Sequence, residues 1–426
     1  MNPVRTVPLS WAQRAWVLGP PTLTESDGWR HDLGATIGVS RYVGVDEVEA
    51  AIGVLIRTFP TLRARLVSGP DGVVRQEIIS SSVAGASVVP AELDPVQTAA
   101  AARRAASASA NIGAAVQYTG AGTTVTLAVA HAFVDGWAVG LLRMAFEQAL
   151  CVPSAPAQQD TLFTLLDFER STAGGELSRR NIRRLVTVAT KADQLGLLPS
   201  AVSGSSHDHG DLLAGIHDST WLLDVLGALA PPSGLARAAT VLSLVYLGYC
   251  RWRGTRGAVF VTPVANRVSQ EQQEFVGLMM MRNWVLLDWR PDESFRALAD
   301  RVTTQLLRCA LHGRFDPVAA LDELECAGIT SSPCLYFNYA EPAGFVVPAP
   351  AGPRPEATYW RRLPSGGVPF EFNTYVGVDD VMVITKFDEA LFSQAIAEGF
   401  GPCLRQIAAT VCREPDLPVS RVLGPG

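Results

Sequence analysis

One run of residues constrains the fold more than any other. Thr123 to Ala130 reads Thr-Thr-Val-Thr-Leu-Ala-Val-Ala, a stretch dense in β-branched side chains, which suit a pleated, half-buried strand. The loop His131-Ala-Phe-Val-Asp135-Gly136 follows at once, and an apolar helical pattern from Trp137 to Leu150 comes after it. A chain that passes from strand through a short loop into a helix packs that helix on a sheet, which sets an α/β layer architecture. The junction also presents His131 from a rigid strand end, where a reacting group is well supported.

The same alternation runs along the chain. Leu9 to Leu18 predicts a helix with Ser10 as N-cap. Val45 to Phe59 predicts another, because Val48, Ala51, Ile52, Leu55 and Phe59 recur at three and four and Pro60 stops the pattern. Strands are expected at Leu62 to Val67 and Val73 to Ile79, and an Ala/Arg-rich helix at Val96 to Ala108. Helices follow at Thr161 to Arg170 and Leu177 to Leu195, and the Ser/Gly/Asp-rich stretch Pro199 to Gly215 reads as a loop. Then come a helix at Leu235 to Trp252, strands at Ala258 to Pro263 and Arg282 to Leu287, and a helix at Phe295 to Leu311. A strand around Cys334 to Tyr339, a Pro/Gly-rich stretch Pro342 to Pro355, strands at Phe370 to Val376 and Val381 to Phe387, and a helix at Glu389 to Val411 close the chain. The two halves repeat a coarse order of helices and strands. Two related lobes are expected, residues 1–175 with the histidine motif and residues 176–426.

Composition narrows the class. The 426 residues are 48% apolar and 18% charged, which excludes a disordered chain. The most apolar window, Ala239 to Cys250, falls well short of the ~18 residues a spanning helix needs, so no membrane association is expected. A net charge of −6 argues against a nucleic-acid partner. All but two of the 35 basic residues are arginine, and only Lys191 and Lys386 are available for lysine chemistry. The seven cysteines are scattered, odd in number and without a C-x-x-C pair, as expected of free thiols in a reducing compartment. With no apolar run at Met1 to Arg5, the expected location is cytoplasmic. His207-Asp208-His209 gives no full ligand set, and His31, His217 and His312 are isolated, so no metal is expected. Neither a G-x-S-x-G turn nor a G-x-x-x-x-G-K loop occurs.

What remains is H-x-x-x-D-G at His131, Asp135 and Gly136. An imidazole, with an ordinary pKa near 6.5, is suited to take a proton from a nucleophile near neutral pH. The spacing resembles the active-site motif of the chloramphenicol acetyltransferase-like superfamily, which includes the condensation domains of nonribosomal peptide synthetases. Pro8-Leu9-Ser10-Trp11-Ala12-Gln13-Arg14 is similar to the opening S-x-A-Q motif of those domains, and Phe59 to Leu66 to the R-H-x-x-L-R-T-x-F motif. Thr262-Pro263-Val264-Ala265-Asn266-Arg267 with Val276-Gly277 resembles a second-lobe segment, His312 to Pro317 is loosely similar to a later motif, and Val381 to Ile407 to the closing strand and helix. The chain departs from the pattern where Ala130 stands for the first of two usual histidines, where Met279-Met280-Met281-Arg282 replaces F-V-N-T, and where the D-F-G-W-G of plant-type acyltransferases is missing.

The resemblance implies an α+β sandwich of two chloramphenicol-acetyltransferase-like lobes in a V-shaped pseudo-dimer with a tunnel between them. It implies a free-standing condensation enzyme that moves an acyl or aminoacyl group from a carrier-protein thioester to a small amine or alcohol. The phosphopantetheine arm would be the partner's, and no cofactor would be bound. Alternatives are an acyl-CoA-dependent O- or N-acyltransferase and a catalytically silent or repurposed scaffold. His131 is the expected base, and Asp135 is implied to pair with an arginine, Arg63 first and Arg267 second. Gly136 is expected to let the backbone turn tightly, with its N–H near a developing oxyanion. Ala130, Trp137, Met279 and Met281 are candidates for a pocket wall, ordinary core packing being the other reading of the methionines. Arg179, Arg180, Arg183 and Arg184 form the most basic helix segment, either a docking face for an acidic carrier protein or a solvated surface.

Overall fold

The computed structural model describes residues 4–18, 32–80, 82–107, 110–120, 122–152, 159–199, 212–219, 221–231, 234–341, 359–363, 369–377, 381–389 and 392–424. In chain order, β1 (Val4–Val7), α1 (Trp11–Val17), β2 (Asp32–Val39) and α2 (Val45–Thr58) lead to a 3-10 turn at Pro60–Arg63. Next come β3 (Ala64–Ser68), β4 (Val74–Ile79), β5 (Ala86–Val88), α3 (Pro95–Ala105), β6 (Ile112–Thr119), β7 (Gly122–Ala130), α4 (Gly136–Cys151), α5 (Thr161–Arg170) and α6 (Thr172–Gln194). The later part has β8 (Leu212–Asp218), α7 (Trp221–Leu229), α8 (Leu235–Arg253), β9 (Gly257–Val264), α9 (Gln270–Gln273), β10 (Met281–Asp288), α10 (Phe295–Leu311) and α11 (Pro317–Cys326). It ends with β11 (Leu335–Ala340), β12 (Tyr359–Leu363), β13 (Phe370–Val376), β14 (Val381–Asp388), α12 (Gln394–Arg413) and α13 (Val419–Leu423).

The chain divides into two units, and the division does not follow sequence order throughout. The first contains Met1–Leu177 and, from far along the chain, Ala265–Met280; the second contains Ser178–Val264, Met281–Glu341 and Arg354–Gly426. Helix α6 runs across residue 177, so no loop marks the division.

In the first unit a sheet of order β2-β7-β6-β5 places β7 between two partners, with Ala130 opposite Asp32 and Val129 opposite Ile112. One sheet face, with Ile37, Val116, Val125, Leu127 and Val129, packs on the apolar stripes of α2 and α4. The other face is paved with Ala115, Ala128 and Ala130 and meets Ala101 and Ala102 of α3. Small residues let that helix lie close: a Cβ on Gly113 would come within 2.2 Å of the Ala102 carbonyl oxygen. Strands β1, β4 and β3 form a separate antiparallel sheet. The second unit is built on a mixed sheet of order β10-β9-β11-β13-β14-β8-β12. Its core is aromatic, with Phe370 edge-on to Phe387 at 5.2 Å and to Phe400 at 5.3 Å. Helix α8, apolar on most of its surface, is buried along nearly its whole length.

Several expectations change. Strand β8 occupies part of the stretch read as a loop, and β1, β2, β5, β6, β12, α7, α9, α11 and α13 were not anticipated. Strand β6 reads Ile-Gly-Ala-Ala-Val-Gln-Tyr-Thr and is buried on both faces for most of its length, so no alternation betrays it. Among the described residues no helix is long and apolar enough to cross a membrane. All seven cysteines are free thiols, and burial pushes those of Cys250 and Cys309 up to about 12.

Candidate active site

The site is built where β7 ends. Ala130 is fully buried against the α3 face, and its N–H donates to the Asn111 carbonyl at 3.0 Å, which fixes the strand terminus. The Asn111 side chain in turn donates to the Thr61 carbonyl of the 3-10 turn and to the Ala64 carbonyl that opens β3. At the next residue the chain leaves the sheet, and Ala132, Phe133 and Val134 turn inward and are buried. His131 is half-buried, and its Nδ1 lies 2.8 Å from the Val134 carbonyl oxygen. A carbonyl only accepts, so Nδ1 carries the proton and Nε2 is the nitrogen with the lone pair in the neutral ring. The Trp16 ring of α1 lies against the imidazole, with centroids 4.5 Å apart and planes 46° from parallel.

Asp135 has a different task. It is only 2% exposed and caps α4, Oδ1 accepting from the Ala138 N–H at 2.9 Å. The Arg267 Nη2 donates to Oδ1 at 2.8 Å and to Oδ2 at 3.0 Å, and Oδ2 also accepts from the N–H groups of Met279 at 2.9 Å and Met280 at 3.1 Å. With both oxygens engaged in this way, Asp135 has a structural task. Arg267 closes its own loop as well, donating to the carbonyls of Gln272, Phe275 and Gly277. Burial pulls its guanidinium below the ordinary value, and the Asp135 charge opposes that. Asn266, the one non-glycine described with a left-handed φ (58°), turns the chain into this loop and donates to the Met279 carbonyl at 3.0 Å. Two further ties fasten the segment to the motif region: Thr61 Oγ1 donates to the Val276 carbonyl at 2.8 Å and Trp137 Nε1 to that of Gln273 at 2.8 Å.

These positions revise the expectations in part. The partner of Asp135 is Arg267, not Arg63. The Arg63 guanidinium donates instead to the Ile56 carbonyl at 3.2 Å, at the C-terminal end of α2, where helix carbonyls lack intrahelical donors. Gly136 opens α4 without a left-handed φ, so a tight glycine turn is not its reason for being there. Met279 is buried with Phe133 and Phe275 in the first unit's core, Met281 is buried on β10, and Trp137 is 46% exposed. For the methionines, burial favours the packing role over a pocket wall. Arg179, Arg180 and Arg183 are exposed on α6 and Arg184 is half-buried. His207, His209 and His31 lie outside the described residues; among the described ones no three His, Cys, Asp or Glu side chains group as a metal site would require.

The opening S-x-A-Q segment acquires a physical reason. Ser10 caps α1, Gln13 completes the capping box, and the Gln13 and Gln76 amides bond each other reciprocally at 3.1 and 3.0 Å. Gln76 also donates to the Pro8 carbonyl, and the Trp11 N–H donates to Glu169. Trp16, which sequence reasoning missed, is one helical turn beyond Gln13 on this anchored helix.

No protein-family model matches the chain, and no curated protein matches it in sequence. Solved structures do. The starter condensation domain of rhizomide synthetase, solved with C8-CoA, is 16% identical at a TM-score of 0.71, over 97% of this chain and 96% of that one. The first condensation domain of the calcium-dependent antibiotic synthetase, solved with a substrate analogue, is 16% identical at 0.68, over 98% of each chain. A four-domain nonribosomal peptide synthetase bound to AMP and glycine is 13% identical at 0.73, over all of this chain and 34% of that one. The chain therefore has the two-lobed, chloramphenicol acetyltransferase-like fold of condensation domains.

Proposed function

We propose that the protein is a condensation-type acyltransferase that moves an acyl or aminoacyl group from a thioester to a small amine or alcohol. The observation that carries this reading is the His131 ring, which holds its Nδ1 proton on the Val134 carbonyl and so keeps Nε2 as a base at the strand end. The condensation-domain fold supports it. In the reaction the amine or hydroxyl attacks the thioester carbonyl while Nε2 takes its proton. The tetrahedral intermediate collapses, the C–S bond breaks as the new C–N or C–O bond remains, and the proton passes from Nε2 to the leaving thiolate. In the first turn of α4 the Ala138 N–H is taken by Asp135, while those of Gly136 and Trp137, without intrahelical partners, suit a developing oxyanion.

The donor in this proposal is a carrier-protein phosphopantetheine thioester, and the exposed α6 arginines provide a face for an acidic carrier. Reversing Arg180 and Arg184 to glutamate is expected to weaken carrier binding and flatten its salt dependence; unchanged binding would remove α6 from the docking surface. An acyl-CoA donor is the second reading, because a structural neighbour was solved with C8-CoA. The deciding experiment offers acyl-phosphopantetheine and acyl-CoA thioesters with mixed amines and alcohols to the wild type and to His131→Ala, and reads product mass. Product that disappears with the mutation supports the proposal and identifies both partners; equal product from both proteins overturns His131-dependent catalysis and favours a scaffold.

A further inference from the structure

We infer that Trp16 is the positioning residue that aims Nε2 of His131, an inference that rests on the catalytic reading of that histidine but is testable without it. The Nδ1 bond to Val134 settles which nitrogen is protonated. One such bond is weak by itself, and rotation about Cα–Cβ or Cβ–Cγ would take Nδ1 off the carbonyl and turn Nε2 away. The indole opposes that rotation, its centroid 4.5 Å from that of the imidazole on the side of α1. Trp16 can serve in this way because it is itself held. It packs on the core that contains Ala130, Ala132 and Phe133, and α1 is pinned at its start by the capping box and the buried Gln13–Gln76 amide pair. Gln76 belongs to β4, so the anchor reaches through α1 to the histidine from a sheet other than the one that carries it.

The arrangement also assigns a chemical character to that side of the site. An indole against one side of the imidazole leaves an apolar, aromatic boundary there, while a face of π-density suits the ring after it has taken a second proton. Trp16 forms no bond with substrate in this account; it acts through His131.

The test uses Trp16→Phe and Trp16→Leu in the full chain, with two readouts. The first is the NMR spectrum of the His131 ring, assigned by its disappearance in His131→Ala among only six histidines. The indole ring current should move the His131 carbon-bound protons upfield in the wild type, partly in the Phe variant and not in the Leu variant. The ring-nitrogen shifts should report Nδ1 protonation in the wild type and a mixture of tautomers in the Leu variant. The second readout is kinetic, with the donor and acceptor found above. Loss of aim should lower kcat by about ten- to a hundredfold in the Leu variant with acceptor KM within about threefold, and Phe should restore most of it. Ring-nitrogen shifts in the Leu variant that still report a protonated Nδ1, or an unchanged kcat, overturn the inference. If no donor gives product even with the wild type, the catalytic reading fails by itself, and the spectrum alone still decides whether Trp16 holds the ring. Should Leu prevent folding, Trp16→Met supplies a flexible apolar side chain for the same comparison.

Discussion

His131 and His312 invite comparison, since each follows the end of a regular element and each binds an oxygen through Nδ1. His131 follows β7 and faces the Val134 carbonyl at 2.8 Å with the Trp16 ring beside it. His312 caps the end of α10 and faces Asn181 Oδ1 at 2.9 Å, while the Asn181 amide donates to the Arg314 carbonyl at 2.7 Å. The bond fixes the same tautomer in both rings. Their surroundings differ in sign. A carbonyl oxygen and an aromatic ring both tolerate a protonated ring, whereas burial first, and then the charges of Arg184 and Arg180, push the pKa of His312 down. A general base must become a cation in mid-reaction, and of these two rings His131 is the one whose surroundings suit the role proposed for it. His312 reads as a clasp between α6 and the turn after α10.

The largest expected effect breaks the comparison at its chemical end. Substituting His131 by alanine should reduce product formation by about a hundredfold or more, the usual range for a positioned base, while His312→Ala should leave the rate within about twofold. Parallel product-mass time courses on the two variants check this. Comparable losses from both would mean that the two histidines share a structural role.

The next effect concerns the frame around His131. Asp135→Ala strips α4 of its cap and leaves the Arg267 charge and the Met279 and Met280 N–H groups without their acceptor. Breaking such a buried pair costs about 3–5 kcal/mol, so urea unfolding should show an early transition. Asp135→Asn should cost less, because asparagine still caps a helix, though it provides one acceptor oxygen where two are used. An Asp135→Ala protein with wild-type stability would show that the Ala265–Met280 segment is held by its apolar contacts and the Thr61 and Trp137 bonds, without the Asp135–Arg267 pair.

The contrast also separates what sequence could and could not reveal. Strand β7, its loop and α4 were legible because β-branched density, polar punctuation and helical spacing change over within a few residues. So were α2 and α10, whose apolar stripes are complete. The resemblance to condensation domains, drawn from motifs in order, led to the fold the structure has. The choice of Arg267 over Arg63 was not legible, since it depends on a segment 132 residues away folding back onto the motif. Trp16 was hidden for the same reason, because spacing along α1 gives its face but not its neighbour. Burial on both faces concealed β6, and an edge role concealed β12, whose only strand neighbour among the described residues is β8. Distance along the chain, more than weakness of local signal, limited the reading of the site.

The smallest expected effect sharpens the other half of the comparison through pH. His312 is held below its ordinary pKa, first by burial and then by the charges of Arg184 and Arg180. The folded protein therefore binds this proton less readily than the unfolded chain, whose histidine titrates near 6.5. The stability linked to the neutral ring is fully present above about pH 6.5 and is lost as the pH falls through the lower folded value. His312→Asn keeps an N–H to offer Asn181 and cannot titrate, so its unfolding free energy should change less than that of the wild type between pH 7 and pH 5. The ring is partly solvated, and screening should keep the difference below about 1 kcal/mol. Arg184→Met provides the complementary case, since removing one of the two repelling charges lets the folded ring bind its proton more nearly as the unfolded chain does. Its slope should lie between those of the wild type and His312→Asn, and added salt should shrink the gap between wild type and Arg184→Met. Identical slopes for all three proteins would mean that His312 is not under the control of α6, and the distinction drawn between the two histidines would lose its electrostatic basis.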